Sequence, residues 1–383
     1  MEIEAWYSDN FDTRLTGRYI TLEHIIPILK EYENTFNIST IGTSELGKTI
    51  SSIKIGSGKK KVLAWSQMHG NETTTTKAIF DFLKFLTQKD VFQDEIRDFL
   101  TNYTLSVIPI LNPDGALLYT RENANLIDLN RDAQDLSQNE SKILKEAFNS
   151  IHPDLCLNLH GQRTIFGLEN GLPATMSFLS PASNNEREVT SSRKEAMKLI
   201  VKMNTILQKY IPGQVGRYDD SFNNNCFGDS FQMAGVPVIL FEAGHFKDDY
   251  SREKTRGFVF YSLLTLFEII KTEDETYKDY FKIPENKKNY KDVIIRNVRF
   301  KEEDEPFSIA IQYEEKLNDG KIDFIPKLDS IGNLKSFYGH DEIQGNGDVI
   351  LLNPQNNTVI GGDISTIISK NNKSLIYFNK NSL

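Results

Sequence analysis

Cysteine is scarce in this chain: Cys156 and Cys226 are the only two among 383 residues. Two thiols cannot build a disulfide framework or a four-cysteine zinc site. Long apolar runs are missing as well. No stretch of about 18 apolar residues occurs, so no membrane span is expected. The first residues, MEIEAWYSDN, lack a basic segment followed by an apolar one. No secretory signal is therefore expected, and the expected location is the cytoplasm. A basic surplus is absent too. The 44 Lys and Arg residues against 53 Asp and Glu give a net charge of −9, which argues against a nucleic-acid partner. What is present is a globular composition, 39% hydrophobic and 25% charged, with ample material for a core.

Up to about residue 275, apolar β-type runs alternate with helical patterns, which predicts an α/β unit. Val62–Ser66, Tyr103–Leu111, Asp154–Leu159, Met176–Ser180 and Val236–Phe241 read as strands. They are rich in Val, Ile, Leu and Phe and alternate poorly, as strands buried on both faces do. Helices are expected over Thr73–Gln88, Ser137–Ser150, Glu186–Tyr210 and Arg256–Lys271. Ser137-x-x-Glu140 has the pattern of a capping box. Residues 276–292 are charged and polar, include Pro284 and read as a linker. From Val293 onward, short alternating runs (IIRNVRF, FSIAIQY, DVILLN, TVIGGD, SLIYF) broken by turn residues predict a small all-β domain over 293–383.

Four fragments carry chemistry. Met68-His69-Gly70-Asn71-Glu72 follows a buried strand and leads into a helix, so His69 and Glu72 can converge at the strand's C-terminal end. An imidazole and a carboxylate are suitable zinc ligands, and a catalytic zinc takes three protein ligands. Leu155–Gly161 is another apolar strand, ending in His160. In a parallel sheet His160 would share an edge with His69, and that edge is where open α/β sheets place their sites. Val238–Gly244 ends in Glu242, a carboxylate costly to bury unless it is paired or beside a metal. Glu242 could act as a general base. Glu242-x-x-His245 is a rival ligand pair, but the base role uses Glu242 better. Finally, Asn112–Asp132 holds the turn Asn112-Pro113-Asp114-Gly115, then Arg121 and the pair Asn130-Arg131. A guanidinium fork suits a substrate carboxylate or a developing oxyanion.

With these fragments in this order, the chain resembles the zinc carboxypeptidase (metallocarboxypeptidase) family, as a bacterial-type intracellular member. The matching elements are HGNE, NPDG, the Arg of YTREN, DLNRD, and the strands ending in His160 and Glu242; Ile41–Ile50 resembles the family's opening strand segment. The resemblance spans residues 35–270. It implies an α/β/α sandwich around a mixed, mostly parallel, eight-stranded sheet and one zinc ion per chain. It further implies His69, Glu72 and His160 as zinc ligands, Glu242 as general base and Arg121 as the group that polarises the scissile carbonyl. Asn130 and Arg131 would bind the substrate's terminal carboxylate. Tyr218 lies at the position of the family's mobile Tyr, and Asp229 at that of its pocket Asp.

Asp132 departs from the digestive members of the family and would tune Arg131 or read a substrate amino group. The compact stretch between Glu72 and His160 instead resembles the acylase branch (aspartoacylase and succinylglutamate desuccinylase). The expected activity is removal of a C-terminal residue from short peptides. The alternatives are hydrolysis of N-acyl amino acids by the same machinery, and a non-catalytic binding protein. Cys156 reads as a small buried hydrophobe, and Cys226 could approach the pocket. His24 and His152 read as structural or solvated. His340 and the run Thr73–Thr76 have no assigned role.

Overall fold

The computed structural model describes residues 2–352, 359–370 and 375–377. Parts of the expected C-terminal runs, at 353–358, 371–374 and 378–383, lie outside the described residues.

The strands of the first unit are β1 (Asn37–Thr43), β2 (Thr49–Ile55), β3 (Lys60–Ser66), β4 (Tyr103–Ile108), β5 (Leu155–Gly161), β6 (Met176–Leu179), β7 (Val215–Arg217) and β8 (Val238–Ala243). They form one sheet in the order β1-β2-β4-β3-β5-β8-β6-β7. The pairs β4/β3, β3/β5, β5/β8 and β6/β7 are parallel; β1/β2, β2/β4 and β6/β8 are antiparallel. The sheet is therefore mixed, as expected.

Side chains alternate between the faces of a strand, and here each face meets its own core. Val62, Ala64, Leu155, Leu157, Leu159, Ile239 and Phe241 pack into one cluster. That cluster takes its helical side chains from α1 (Glu2–Asn10), α2 (Leu22–Tyr32), α3 (Thr74–Thr87), α4 (Gln93–Asn102), α7 (Ser191–Leu207) and α9 (Glu253–Leu266). Leu63, Trp65, Cys156 and Val238 enter a second cluster with α6 (Asn139–Ile151) and α8 (Phe227–Met233). The short α5 (Pro113–Leu118) is capped by Asn112, whose Oδ1 accepts from Gly115 N at 2.8 Å, with Pro113 in the first turn where its missing N–H costs nothing.

Several local expectations are corrected. Ser137 and Glu140 do not form a capping box. Ser137 Oγ donates to Asp132, and Glu140 accepts from Glu45 N, so both side chains are taken by longer-range partners. α7 begins only at Ser191, capped by Thr190, and α9 begins earlier than expected, at Glu253. The Thr run at the start of α3 has a structural role. Thr73, Thr75 and Thr76 donate to the carbonyls of Arg18, Leu159 and Pro109, which stitches the helix start to the loop before α2 and to the ends of β5 and β4.

Residues 276–292, expected as a linker, are packed. Tyr277–Lys282 forms a 3-10 turn, and Tyr280 is fully buried, its hydroxyl accepting from Ser180 N. The second sheet follows, with β9 (Tyr290–Arg299), β10 (Phe307–Asn318), β11 (Lys321–Gly332), β12 (Tyr338–Leu352), β13 (Thr366–Ser369) and β14 (Leu375–Tyr377). Its order is β11-β10-β9-β12-β13-β14. The run TVIGGD is a turn over its described part: Gly361 has φ +85°, and its N–H donates to Leu328 O.

The two units join through polar contacts. Gln312 of β10 donates to Thr164, Arg18 pairs with Glu315 at 2.9 Å, and His340 Nε2 meets Thr164 O at 2.8 Å. His340 is thereby placed: its ring lies 4.2 Å from that of His245 and 4.6 Å from that of Tyr290.

Candidate active site

β3, β5 and β8 are neighbours and parallel, so their C-terminal ends share one edge. In register, His160 stands opposite Glu242. After β3 the chain turns through Gln67, a non-glycine residue at φ 44°. The turn is held by side-chain amides. Gln67 Nε2 donates to Ile20 O and Gly70 O, and Asn112 Nδ2 donates to Met68 O and Glu122 O. The NPDG element thus braces the loop that carries His69 and Glu72.

His69, Glu72 and His160 converge. His69 Nδ1 is 2.8 Å from Glu72 Oε1, His160 Nδ1 is 2.8 Å from Glu72 Oε2, and the two Nδ1 atoms are 3.1 Å apart. Gly161 N also donates to Glu72 Oε2 at 3.0 Å. One ligand atom from each residue lies within 4.8 Å of the others. Two imidazole nitrogens facing one another need a proton or a cation between them. Two imidazoles and one carboxylate, with room left for a fourth ligand, form the donor set of a catalytic zinc site. On these grounds the three residues fit a zinc ion.

Sequence reasoning missed Asp128. Its Oδ1 contacts His69 Nε2 at 3.0 Å and accepts from Asn130 N at 2.9 Å, while its Oδ2 accepts from Arg121 Nε and Nη2 at 3.1 and 2.9 Å. One carboxylate thereby orients an imidazole and aims a guanidinium. A carboxylate behind a ligating imidazole fixes which ring nitrogen is free for the metal. The residue stood in the DLNRD stretch, but nothing local marked it as a partner of His69.

The electrostatics follow from burial and proximity. Burial pushes the Glu72 carboxyl up, yet His69 and His160 together hold it below the usual carboxylate range. Burial opposes the charged form of His69, but Glu72 and Asp128 outweigh it and raise the imidazole to about 9. For His160 burial wins, and its pKa is lowered. Burial, and then Glu72, pushes the Glu242 carboxyl well above its ordinary value. Glu242 Oε2 is buried without a hydrogen-bond partner among the described residues.

These groups open into a cavity of about 630 Å³. Arg121, Asn130, Arg131, Tyr218, Asp229 and Glu242 all line it. Asn130 Oδ1 accepts from Phe227 N, and Arg131 Nη1 lies 3.1 Å from Cys226 Sγ, so Cys226 does reach the pocket. Tyr218 rests its ring 5.4 Å from that of Phe166. Asp229 is buried and accepts from Asn223 N; burial pushes its carboxyl up to about 6.

Asp132, expected to tune Arg131 or read a substrate, does neither. It is buried and accepts from Ser137 N, Ser137 Oγ and Gln138 N, which closes the loop before α6. His245 is not part of the ligand group. It is buried against His340 and Tyr250, with neither ring nitrogen hydrogen-bonded among the described residues.

Comparison with known proteins gives a consistent result. The mouse (Mus musculus) protein named carboxypeptidase M is 24% identical over 187 residues, an overlap covering 42% of this chain and 42% of that protein. The Lysinibacillus sphaericus protein named gamma-D-glutamyl-L-diamino acid endopeptidase 1 is 37% identical over 83 residues, covering 20% of this chain and 21% of that one. The chain thus spans less than half the length of these curated relatives. The crystal structure of a metallo-carboxypeptidase from Burkholderia cenocepacia shares the fold, with a TM-score of 0.54 at 15% identity over 66% of this chain and 69% of the other. The zinc carboxypeptidase family model matches residues 22–223, more than half of the sequence, and the chain belongs to that family.

Proposed function

We propose that this chain is a zinc-dependent carboxypeptidase that hydrolyses the C-terminal amide bond of short peptides. Its catalytic unit would span 1–275 and be joined through 276–292 to a β-rich unit over 293–383. The observation that carries the reading is the His69–Glu72–His160 group beside a buried Glu242, whose Oε2 has no hydrogen-bond partner among the described residues, in one cavity. His69, Glu72 and His160 would hold one zinc ion. When bound, the ion supplies Lewis-acid polarisation of a water molecule and of the scissile carbonyl.

The remaining work falls to the chain's own residues. Glu242 accepts the water's proton and returns it to the departing amine. Arg121, held through Nε and Nη2 by Asp128 Oδ2, donates to the oxygen on which negative charge develops. Asn130 and Arg131 bind the free terminal carboxylate, and that requirement makes the reaction an exopeptidase one. Tyr218 covers the bound residue, and Asp229 reads its side chain. The N-acyl amino acid reading uses the same groups and rests on the compact spacing between Glu72 and His160.

The test is mass spectrometry of products from zinc-loaded protein given one pool of free-carboxylate peptides, amidated peptides and N-acyl amino acids. Loss of single C-terminal residues from the free-carboxylate peptides only, abolished in Glu242→Gln, is the expected result. Cleavage confined to N-acyl amino acids, or equal cleavage of amidated peptides, overturns the proposal.

A further inference from the structure

A second cavity, of about 340 Å³, adjoins the first and shares Glu72, Arg121, Gly161, Gln162 and Arg163 with it. Its far wall comes from β10 of the second sheet, through Gln312–Glu315. If the terminal residue of a peptide is held at Asn130, Arg131 and Asp229, the chain preceding it must pass Arg121 and enter this second space. The residue supplying the scissile carbonyl therefore sits where the two cavities meet.

The charges lining the second cavity are almost all committed. Arg18 pairs with Glu315, and Arg121 with Asp128. Arg252 donates to Ala243 O and Gln162 O. Asp292 accepts from Tyr250 Oη and Tyr313 N, and Glu314 pairs with Lys327 and Lys316.

Arg163 is the exception. It is exposed, lines both cavities, and makes no hydrogen bond or ion pair among the described residues. Lys288 is likewise exposed, lines the first cavity and is unpaired among those residues. The two stand on neighbouring ribbons. Gly167 and Lys287 exchange both backbone hydrogen bonds, at 2.9 and 2.8 Å, and Tyr290 N donates to Ile165 O. Two uncommitted cations thus face one cleft in a chain of net charge −9.

We infer that Arg163, supported by Lys288, binds a carboxylate on the substrate residue that supplies the scissile carbonyl, so that the preferred substrate is acidic at that position. The guanidinium fork matches a carboxylate in shape as well as in sign. Lys288 adds a point charge on the adjacent ribbon. This inference rests on the carboxypeptidase reading for the direction in which the substrate lies.

The experiment compares two free-carboxylate tetrapeptides that differ only by Glu or Gln in the penultimate residue, a nearly isosteric pair. The zinc-loaded wild type is measured beside Arg163→Gln, Arg163→Gln/Lys288→Gln and Arg163→Glu. Arg163 is exposed and makes no hydrogen bond or ion pair among the described residues, so its replacement should leave the fold intact. The expected ratio of kcat/KM, Glu over Gln, is about fivefold in the wild type, the upper end for one charged contact on an exposed side chain. It should approach one in the double variant, fall below one in Arg163→Glu, and shrink with added salt.

A wild-type ratio of one, or a ratio unchanged in the double variant, overturns the inference while leaving the carboxypeptidase reading intact. If neither peptide is cleaved, that reading fails, and calorimetric binding of the same pair decides the inference separately. Tighter binding of the Glu peptide, lost in the double variant, upholds the carboxylate site. Equal binding, or none, overturns it.

Discussion

Removing the Asp128 carboxylate should weaken zinc binding even though Asp128 is not among the proposed ligands. Its Oδ1 holds His69 Nε2 at 3.0 Å, which leaves His69 Nδ1 as the ring nitrogen facing Glu72 and His160. In Asp128→Ala the ring loses that restraint and its fixed tautomer. Loss of such a partner typically costs about 10- to 100-fold in metal affinity, or about 1.4–2.8 kcal/mol. The same variant frees Arg121 from both of its Asp128 contacts, at 3.1 and 2.9 Å. Misplacing an oxyanion donor costs about 10²–10³ in kcat.

Asp128→Asn separates the two roles. Its amide oxygen can still accept from His69 and Asn130, but its NH₂ would face the Arg121 guanidinium. We expect Asp128→Ala to raise the zinc Kd about 10- to 100-fold in competition with a chromogenic chelator. Asp128→Asn should stay within about tenfold of the wild type, because the hydrogen bond to His69 survives. At saturating zinc both variants should lose a similar share of kcat. Asp128 also caps the short 3-10 turn Leu129–Arg131 through Asn130 N, and thermal unfolding of both variants controls for the cap that Asp128→Ala loses. If Asp128→Ala binds zinc as tightly as the wild type, strand and loop packing alone orient His69, and Asp128 has no part in positioning it. Equal zinc loss in both variants would likewise refute the division of labour.

Two further predictions concern stability. Asp132→Ala leaves the buried Gln138 N–H without its acceptor and frees two donors of the exposed Ser137, and should cost about 1–3 kcal/mol in urea unfolding, most of it from Gln138. The KM for a peptide should stay unchanged, and a raised KM at unaltered stability would restore the substrate-reading role. Asp292 is fully buried, and burial raises its carboxyl from 3.8 to about 6 in the folded chain. The folded state therefore holds this proton more tightly than the unfolded state. The stabilisation is complete below pH 3.8 and is lost as the pH rises to about 6, a span of about 3 kcal/mol. Asp292→Asn should flatten that window in urea unfolding at pH 4 and pH 6.5, and parallel profiles for the two proteins would count against this account.

How legible the fold was in the sequence depended on burial. β3, β4, β5 and β8 lie inside the sheet, and their apolar runs announced them. β1 lies at an edge, reads NISTIGT and has no buried residue, so composition alone hardly marks it. β7 is three residues long, too short for any pattern. The same contrast holds at the site. His69, Glu72, His160 and Glu242 end buried strands or the turns after them, where an ionisable residue stands out. Asp128 lies in a loop and acts on a residue 59 positions earlier, a pairing no local pattern encodes. Asp132 misled for the mirror-image reason: beside Arg131 in sequence, it turns to Ser137 and Gln138. Arg163 and Lys288 carry no motif, and only the pairing of residues 165–167 with 287–290 brings them to one cleft.

The NPDG element shows why motifs without chemistry can mark a site as clearly as its ligands do. A Cβ on Gly70 would lie 2.0 Å from the backbone carbon of Gly115, and one on Gly115 would lie 2.4 Å from Glu122 O. Neither contact can be relieved by moving a flexible side chain, because both partners are backbone. Asn112 closes the same knot, with its amide on Met68 O and Glu122 O and its carbonyl on Gly115 N. The loop carrying His69 and Glu72 and the loop leading to Arg121 are therefore seated against one another, backbone on backbone. Productive geometry at such a site tolerates only about 0.5 Å of error. A larger residue at either glycine would push the ligand loop away from Arg121 by more than that. HGNE and NPDG are one mechanical unit written in two places in the sequence, and the glycines in it are as necessary to the proposed chemistry as the histidines.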